Sequence, residues 1–336
     1  MSYPLIIQIM KQTKWFFILM AFVLCLGGLS ACSSDDGPGD DGGDGGDPIE
    51  NADAARYEIT DANADISFIE LTEGGQYFVG GDEDDYDAKP MLARRAAQRA
   101  DYGHADGLYY GDYTKGANGE FVLNGYGTLT VTKNGETYEM KIVPVGSTTP
   151  KSYSARKATS TEPISTTAKN LCRTWKFQSV ALLYKAGSYT IFDFKANSMR
   201  ELYTKMKAKM KELASKNGEE WTQEDEDKSN GEIAHAYELQ PERLTFTGSG
   251  SMYIRFGDNS VEREKWRMSG NKLQLWDWEE ERWSNDFFEK TDHEEGSSEN
   301  FSSETVPEVK GNTLTITQTL RGSEGEVKKL SMTFSK

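Results

Sequence analysis

Between residues 57 and 145 the chain is cut into short runs of β-branched and aromatic residues, each closed by a glycine turn. The runs fall at 66–71, 76–79, 108–113, 120–123, 128–132 and 137–143, and Gly74-Gly75, Asn118-Gly119 and Asn134-Gly135 stand between them. Runs of this length with this spacing predict antiparallel strands. Asn-Gly marks tight hairpins, because both residues tolerate positive φ. A small antiparallel β domain is therefore expected over 55–148. It is interrupted by an acidic run at 82–87 and a short helix over 90–100, where Arg94, Arg95 and Arg99 neutralise the acids locally. Residues 149–164 hold Pro150, Pro163 and many Ser and Thr but few large apolar residues, so they read as a linker.

The second body, 165–336, opens with a predicted hairpin, 175–184 and 189–194, turning at Gly187. A helix follows, because Ser198 and Glu201 form a capping-box pair. Behind them Met199, Leu202, Met206, Met210 and Leu213 repeat at three- and four-residue spacing. It sits in a helical insertion over 197–240. Further strands are expected at 243–247, 252–256, 261–268, 272–278, 313–320 and 328–334, with 283–288 as a ninth candidate. Eight antiparallel strands can close into a barrel with room for one ligand. The expected class is thus mainly β, with two antiparallel β domains, the C-terminal one a barrel carrying a helical insertion. The stretch Leu171-Cys172-Arg173-Thr174-Trp175 resembles the Leu-x-Gly-x-Trp opening of bacterial lipocalin-like domains, although Arg173 stands where that motif has glycine. Gly270-Asn271-Lys272-Leu273 and Gly311-Asn312-Thr313-Leu314 are similar to the turn-and-strand repeats of such barrels, and the resemblance implies a lipocalin-like β-barrel. Residues 71–77 are like 246–253, and 127–132 are like 312–317. Either the bodies are diverged copies of one β-meander, or glycine-turned strands simply look alike.

The N-terminus reads as an address. Lys11 and Lys14 precede an apolar run at 15–29, which predicts a secretory signal over 1–31. The run is too short for a membrane span, which needs about 20 residues. Met10 offers an alternative start to Met1. Leu29-Ser30-Ala31-Cys32 resembles the lipobox of bacterial lipoproteins. The resemblance implies cleavage before Cys32, diacylglycerol on its thiol and an acyl group, such as palmitate, on its amine. Several chains on one residue anchor stably. Residues 33–54 contain eight acids, no base and many glycines, a composition that stays unfolded and serves as a tether. An acidic run at this place also resembles the export signal of surface-exposed lipoproteins. The expected partner is therefore the outer membrane, bound through Cys32, with the protein facing the cell surface rather than the periplasm. With Cys25 in the signal and Cys32 lipidated, Cys172 is left alone and no intramolecular disulfide is expected.

The net charge is −16. That balance argues against nucleic acid, whose phosphates need a basic stripe. Catalytic constellations are missing. His104, His235 and His293 stand at no zinc-ligand spacing. No Gly-x-Ser-x-Gly elbow and no phosphate loop occurs. Ser154 and Lys157 fit Ser-x-x-Lys without its partner motifs, and 82–87 lacks the glycine and closing glutamate of an EF-hand. No catalytic residue, metal or cofactor is expected, and the protein reads as non-enzymatic. Six of the seven tryptophans lie beyond residue 170. Of these, Trp266, Trp276, Trp278 and Trp283, beside Phe287 and Phe288, are the candidate ligand-binding residues. Two roles stay open. One is a barrel holding a small apolar or amphipathic ligand among Phe177, Ile254, Leu314 and Met332. The other is a glycan- or protein-interaction module associated with an outer-membrane nutrient-uptake system.

Overall fold

The computed structural model describes residues 54–80, 102–105, 107–158, 165–277, 281–287, 302–322 and 325–336. The signal, Cys32, the tether, the acidic run 82–87, the helix at 90–100, Trp278 and Phe288 lie outside them. The fold is mainly β: among the described residues 55% are strand and 16% helix. The chain divides into two compact units. The barrel unit comprises Gly46–Lys176 and Pro241–Arg267, and the curled-sheet unit comprises Phe177–Gln240 and Met268–Ser335.

In the barrel unit the strands are β1 (Ala55–Ile59), β2 (Phe68–Leu71), β3 (Gln76–Gly80), β4 (Tyr102–Ala105), β5 (Leu108–Lys115), β6 (Phe121–Leu123), β7 (Gly127–Asn134), β8 (Thr137–Pro144) and β9 (Lys151–Lys157). Their order is β3-β2-β1-β9-β8-β7-β6-β5, and β3 also pairs with β5, which closes eight antiparallel strands into a ring. An eight-stranded antiparallel barrel is thus present, and its hydrogen-bonded closure runs through the N-terminal strands, where the sequence pointed only to a small β domain. Two of the ring's strands, β1 and β9, escaped the sequence reading, and both are needed for closure. Residues 151–157, expected in the linker, are β9, which pairs with β8 on one side and β1 on the other. Its residues are polar except where they face inward, at Tyr153 and Ala155, and both of these are buried. Two inward residues at a spacing of two suffice for a strand whose other face is wet.

Alternation fills the barrel. Tyr57, Leu71, Tyr77, Val79, Leu129 and Met140 join other inward residues in one buried cluster. The outer face is apolar on β2, β3 and β5, where Phe68, Phe78 and Leu108 pack with Tyr253 and Val261. Those partners come from β12 (Pro241–Phe246), β13 (Ser251–Phe256) and β14 (Val261–Ser269), an antiparallel meander whose first strand pairs with the start of β10 (Thr174–Ala186). Phe78 and Tyr253 stack face to face at 3.5 Å. Beside them lies a buried ion pair. Arg56 reaches Glu70 at 3.3 Å, Tyr253 donates to the same carboxylate at 2.6 Å, and Ser249 donates to its other oxygen at 2.5 Å. Glu70 is 1% exposed. A buried carboxylate is tolerated because each oxygen has a donor and a cation lies beside it.

The start of β10 also answers the departure at Arg173. Helix α1 (Thr166–Leu171) ends just before it, and Trp175 is fully buried with its indole N–H donating to Leu171 O at 3.0 Å. The Arg173 guanidinium lies 5.3 Å from the Trp175 ring. Its backbone is not in the positive-φ region, so no glycine is required there. Cys172 is buried and donates weakly to Ala168 O, and burial pushes its thiol far above the ordinary range. It is a packing residue rather than a nucleophile.

The curled-sheet unit holds the rest of β10, which pairs antiparallel with β11 (Tyr189–Ala196). It also holds a hairpin of β15 (Lys272–Asp277) with β16 (Arg282–Ser284) and a meander of β17 (Ser302–Lys310), β18 (Thr313–Arg321) and β19 (Glu326–Ser335). Lys272 on β15 reaches Glu304 on β17 at 3.5 Å, so these two strands approach as the sheet curls. β17 was not anticipated, because Pro307 and its charges disguise it. A proline is accepted in a strand whose open side needs no N–H, and β17 ends the hydrogen-bonded strand order. The helical insertion is two helices. α2 (Met199–Lys216) is capped by Ser198 as its sequence predicts and buries Met199, Leu202, Met206 and Met210. α3 (Gln223–His235) starts at a Thr222–Asp225 capping box. Lys207 and Lys211 of α2 both bond Glu226 of α3, at 2.5 and 2.9 Å. The two lysines and the Trp221 indole N–H hold that carboxyl down at about 2.

Two stability predictions follow from the barrel unit. A Cβ at Gly127 would lie 2.3 Å from the backbone oxygen of Val143. Gly127→Ala should therefore cost about 2–3 kcal/mol by urea unfolding, with the m value unchanged. Glu70→Ala should cost about 3–5 kcal/mol because it strands Arg56, and Arg56→Met combined with Glu70→Leu should recover most of that loss.

Candidate binding cleft

The barrel interior is packed, and a cleft of about 950 Å³ lies between the β1–β2 loop, the β7–β8 hairpin and β9. Three segments build it. The first is the β1–β2 loop, where Asp61, Asn63 and Asp65 alternate with alanines. Polar residues that bond their own backbone favour turns over strands, and here Ala64 N–H donates to Asp61 O at 3.1 Å. The loop is closed by Ile59 N–H donating to Ser67 O at 2.8 Å. The second is the β7–β8 hairpin, which contributes Asn134, Thr137, Tyr138 and Glu139. Its turn is made by Gly135, at a φ of 64°. The third is β9, which contributes Lys151 to Ser154.

Asp65 is the centre of the cleft's polar bonding. Lys151 forms a short ion pair with one of its oxygens, and the Tyr153 hydroxyl donates to the other at 2.7 Å. Asp61 accepts from Ser154 N–H at 2.6 Å, and this pins the loop to β9. Burial pulls the Asp65 pKa upward. The Lys151 and Tyr153 hydrogen bonds, with the Lys151 charge, outweigh it and hold the carboxyl below its ordinary value. The same charge acts on the tyrosines beneath. Burial first and Asp65 second raise Tyr109 to about 12, and they raise Tyr126 and Tyr153 further. Tyr109 and Tyr126 belong to the barrel core, and the Tyr153 hydroxyl remains a donor to Asp65. Glu139 is paired with Lys141 at 3.0 Å.

The tryptophans singled out in the sequence have different surroundings. Trp266 is buried in the barrel unit, donates its indole N–H to Ser251 O at 2.9 Å and meets Phe246 edge-on at 5.1 Å. Trp276 and Trp283 of the curled-sheet unit lie opposite one another on β15 and β16, half-buried, with ring centroids 5.4 Å apart. Phe177 meets Phe334 edge-on at 5.9 Å, and Leu314 and Met332 are buried, whereas Ile254 is a half-buried residue of β13 in the barrel unit. Among the described residues no group of three or more His, Cys, Asp or Glu is arranged to hold a metal. None of the cleft residues Asp61, Asp65, Lys151 and Tyr153 was singled out in the sequence. The one local signal was the Asp-Ala-Asn-Ala-Asp alternation at 61–65.

No family model matches the chain, and no curated protein matches it. Among solved structures the chain is similar to a protein of unknown function from the DUF3598 family of Nostoc punctiforme PCC 73102. That match has 7% identity and a TM-score of 0.24 and covers 84% of this chain and 93% of that one. At that TM-score the likeness carries no argument about fold or function.

A carboxyl with a lowered pKa stabilises the fold above its unfolded value, and that contribution is lost as pH falls through the folded value. Asp65 should therefore titrate below the ordinary aspartate value of about 3.9. Lys151→Met should move its titration upward, read by carboxyl-carbon NMR. The same substitution should remove part of the acid-side loss of stability below that value.

Proposed function

We propose that this protein is a non-enzymatic binding protein, held to the outer membrane by lipid on Cys32 and carried beyond it on the acidic tether. Its ligand is bound in the polar cleft between the β1–β2 loop, the β7–β8 hairpin and β9. One observation carries the choice of site. The ring's interior is occupied by its own tyrosines and aliphatic residues, while the cleft above Tyr153 is a concavity of ligand size. An apolar ligand inside the closed ring would have to displace that packed core. The cleft instead offers hydroxyls, amides and carboxylates. The lipobox resemblance at Leu29-Ser30-Ala31-Cys32 supports the anchor, and the uncompensated acids that follow support display at the cell surface.

The anchor is tested in Gram-negative cells fed labelled palmitate. The full chain should incorporate label and fractionate with the outer membrane, and Cys32→Ser should abolish both. Protease added to intact cells should degrade the anchored protein; full protection would place it on the periplasmic side.

A further inference from the structure

We infer that the cleft takes a neutral, hydroxyl-rich oligosaccharide, an inference that rests on the cleft being the binding site. Charge narrows the class first. Asp61, Asp65 and Glu139 line the cleft; Lys151 is held by Asp65 and Lys141, outside the lining, by Glu139, which leaves one uncompensated carboxylate. Phosphates, sulfates and fatty-acid carboxylates meet net negative charge there and are disfavoured. The remaining lining selects by hydrogen bonding. Asn63, Asn134 and Ser152 are exposed at the rim and carry both donors and acceptors. A sugar hydroxyl likewise donates and accepts, and side-chain amides and carboxylates match adjacent hydroxyl pairs. Half-buried Tyr138 adds an aromatic ring with a polar tip, suited to a ligand that is apolar on its ring carbons and polar at its edges.

Shape narrows it further. The cleft's 950 Å³ is near the top of the usual range for small-ligand sites, about 300–1,000 Å³, so it accommodates several sugar units rather than one. A peptide is the competing polymer. Extended peptides commonly bind by adding a strand to an open sheet edge. Here the cleft-lining stretch of β9, Lys151–Ser154, pairs with β8 on one side and is met on the other by the β1–β2 loop, where Thr60 N–H donates to Ser154 O at 2.8 Å and Ser154 N–H to Asp61 at 2.6 Å. A peptide strand adding there would have to displace that loop.

The test is isothermal titration of the detergent-solubilised full chain with malto-, cello-, xylo- and manno-oligosaccharides, and in parallel with heparin fragments, hexalysine and oleate. At least one neutral series should bind. Asn63→Trp, which places bulk at an exposed rim position, should weaken it by about tenfold or more, roughly the loss of one neutral hydrogen bond. Tyr138→Ala should weaken it similarly, and Trp283→Ala should leave it unchanged. Circular dichroism melting of Asn63→Trp separates lost binding from lost folding. If only hexalysine, oleate or heparin binds and the rim variants abolish it, the saccharide is wrong and the cleft stands. If a sugar binds but ignores both rim variants, the saccharide site is elsewhere and this inference falls. If no probe in the panel responds to the cleft variants, the cleft itself fails as the site.

Discussion

Everything in the barrel unit depends on β9 joining β8 to β1. The β1–β9 ladder places Tyr57 opposite Lys157 and Ile59 opposite Ala155, pairing residues about a hundred positions apart in the chain. Loop-closure entropy must be met before such a contact is rewarded. The reward is that a ring leaves none of its eight strands with an open edge, which removes the usual route to edge-to-edge aggregation. The same ladder fixes which residues face inward. It puts Tyr153 and Ala155 into the core and turns Ser152 and Ser154 outward. A one-residue slip would reverse both sets at once.

The outer face is held by a different kind of interaction. Stacking of Phe78 on Tyr253 is apolar and permits small shifts, whereas the Glu70 carboxylate does not. It collects Arg56, Tyr253 and Ser249 from three segments, and all three must arrive together for its burial to be tolerated. Burial raises the Tyr253 phenol well above its ordinary range, with Glu70 adding to the effect, so the hydroxyl remains a donor. The Arg56 guanidinium also lies over the Phe68 ring at 3.8 Å, which joins the polar network to the apolar cluster. These contacts serve stability and register.

How much could be read beforehand depended on whether the signal was local. The helix at 199–216 was legible from its cap and methionine stripe, since both are set within a few turns of chain. The hairpins at Gly135 and Gly187 were legible because positive φ at a turn selects glycine. β9 was not, because a strand wet on one face needs only two apolar residues, and Lys-Ser-Tyr-Ser-Ala-Arg-Lys resembles a linker. β17 was hidden by Pro307. Arg173 looked like a packing fault against the lipocalin-like motif, and it is accommodated because its side chain lies over Trp175. The cleft was illegible for a stronger reason. Its residues come from three separate segments, and each alone is ordinary polar surface.

The sequence by itself determined the class and the punctuation. Period-two runs closed by glycines dictate antiparallel β structure, and spacing and capping dictate the helical insertion. Those preferences are set by neighbours in the chain. Only the tertiary structure decided that β3 meets β5, that a polar segment completes the ring, and that Asp65 sits between Lys151 and Tyr153. Closure and the cleft arise from pairings between residues tens to about a hundred positions apart. Such contacts are selected by the collective fit of eight strands, and no local pattern encodes that fit.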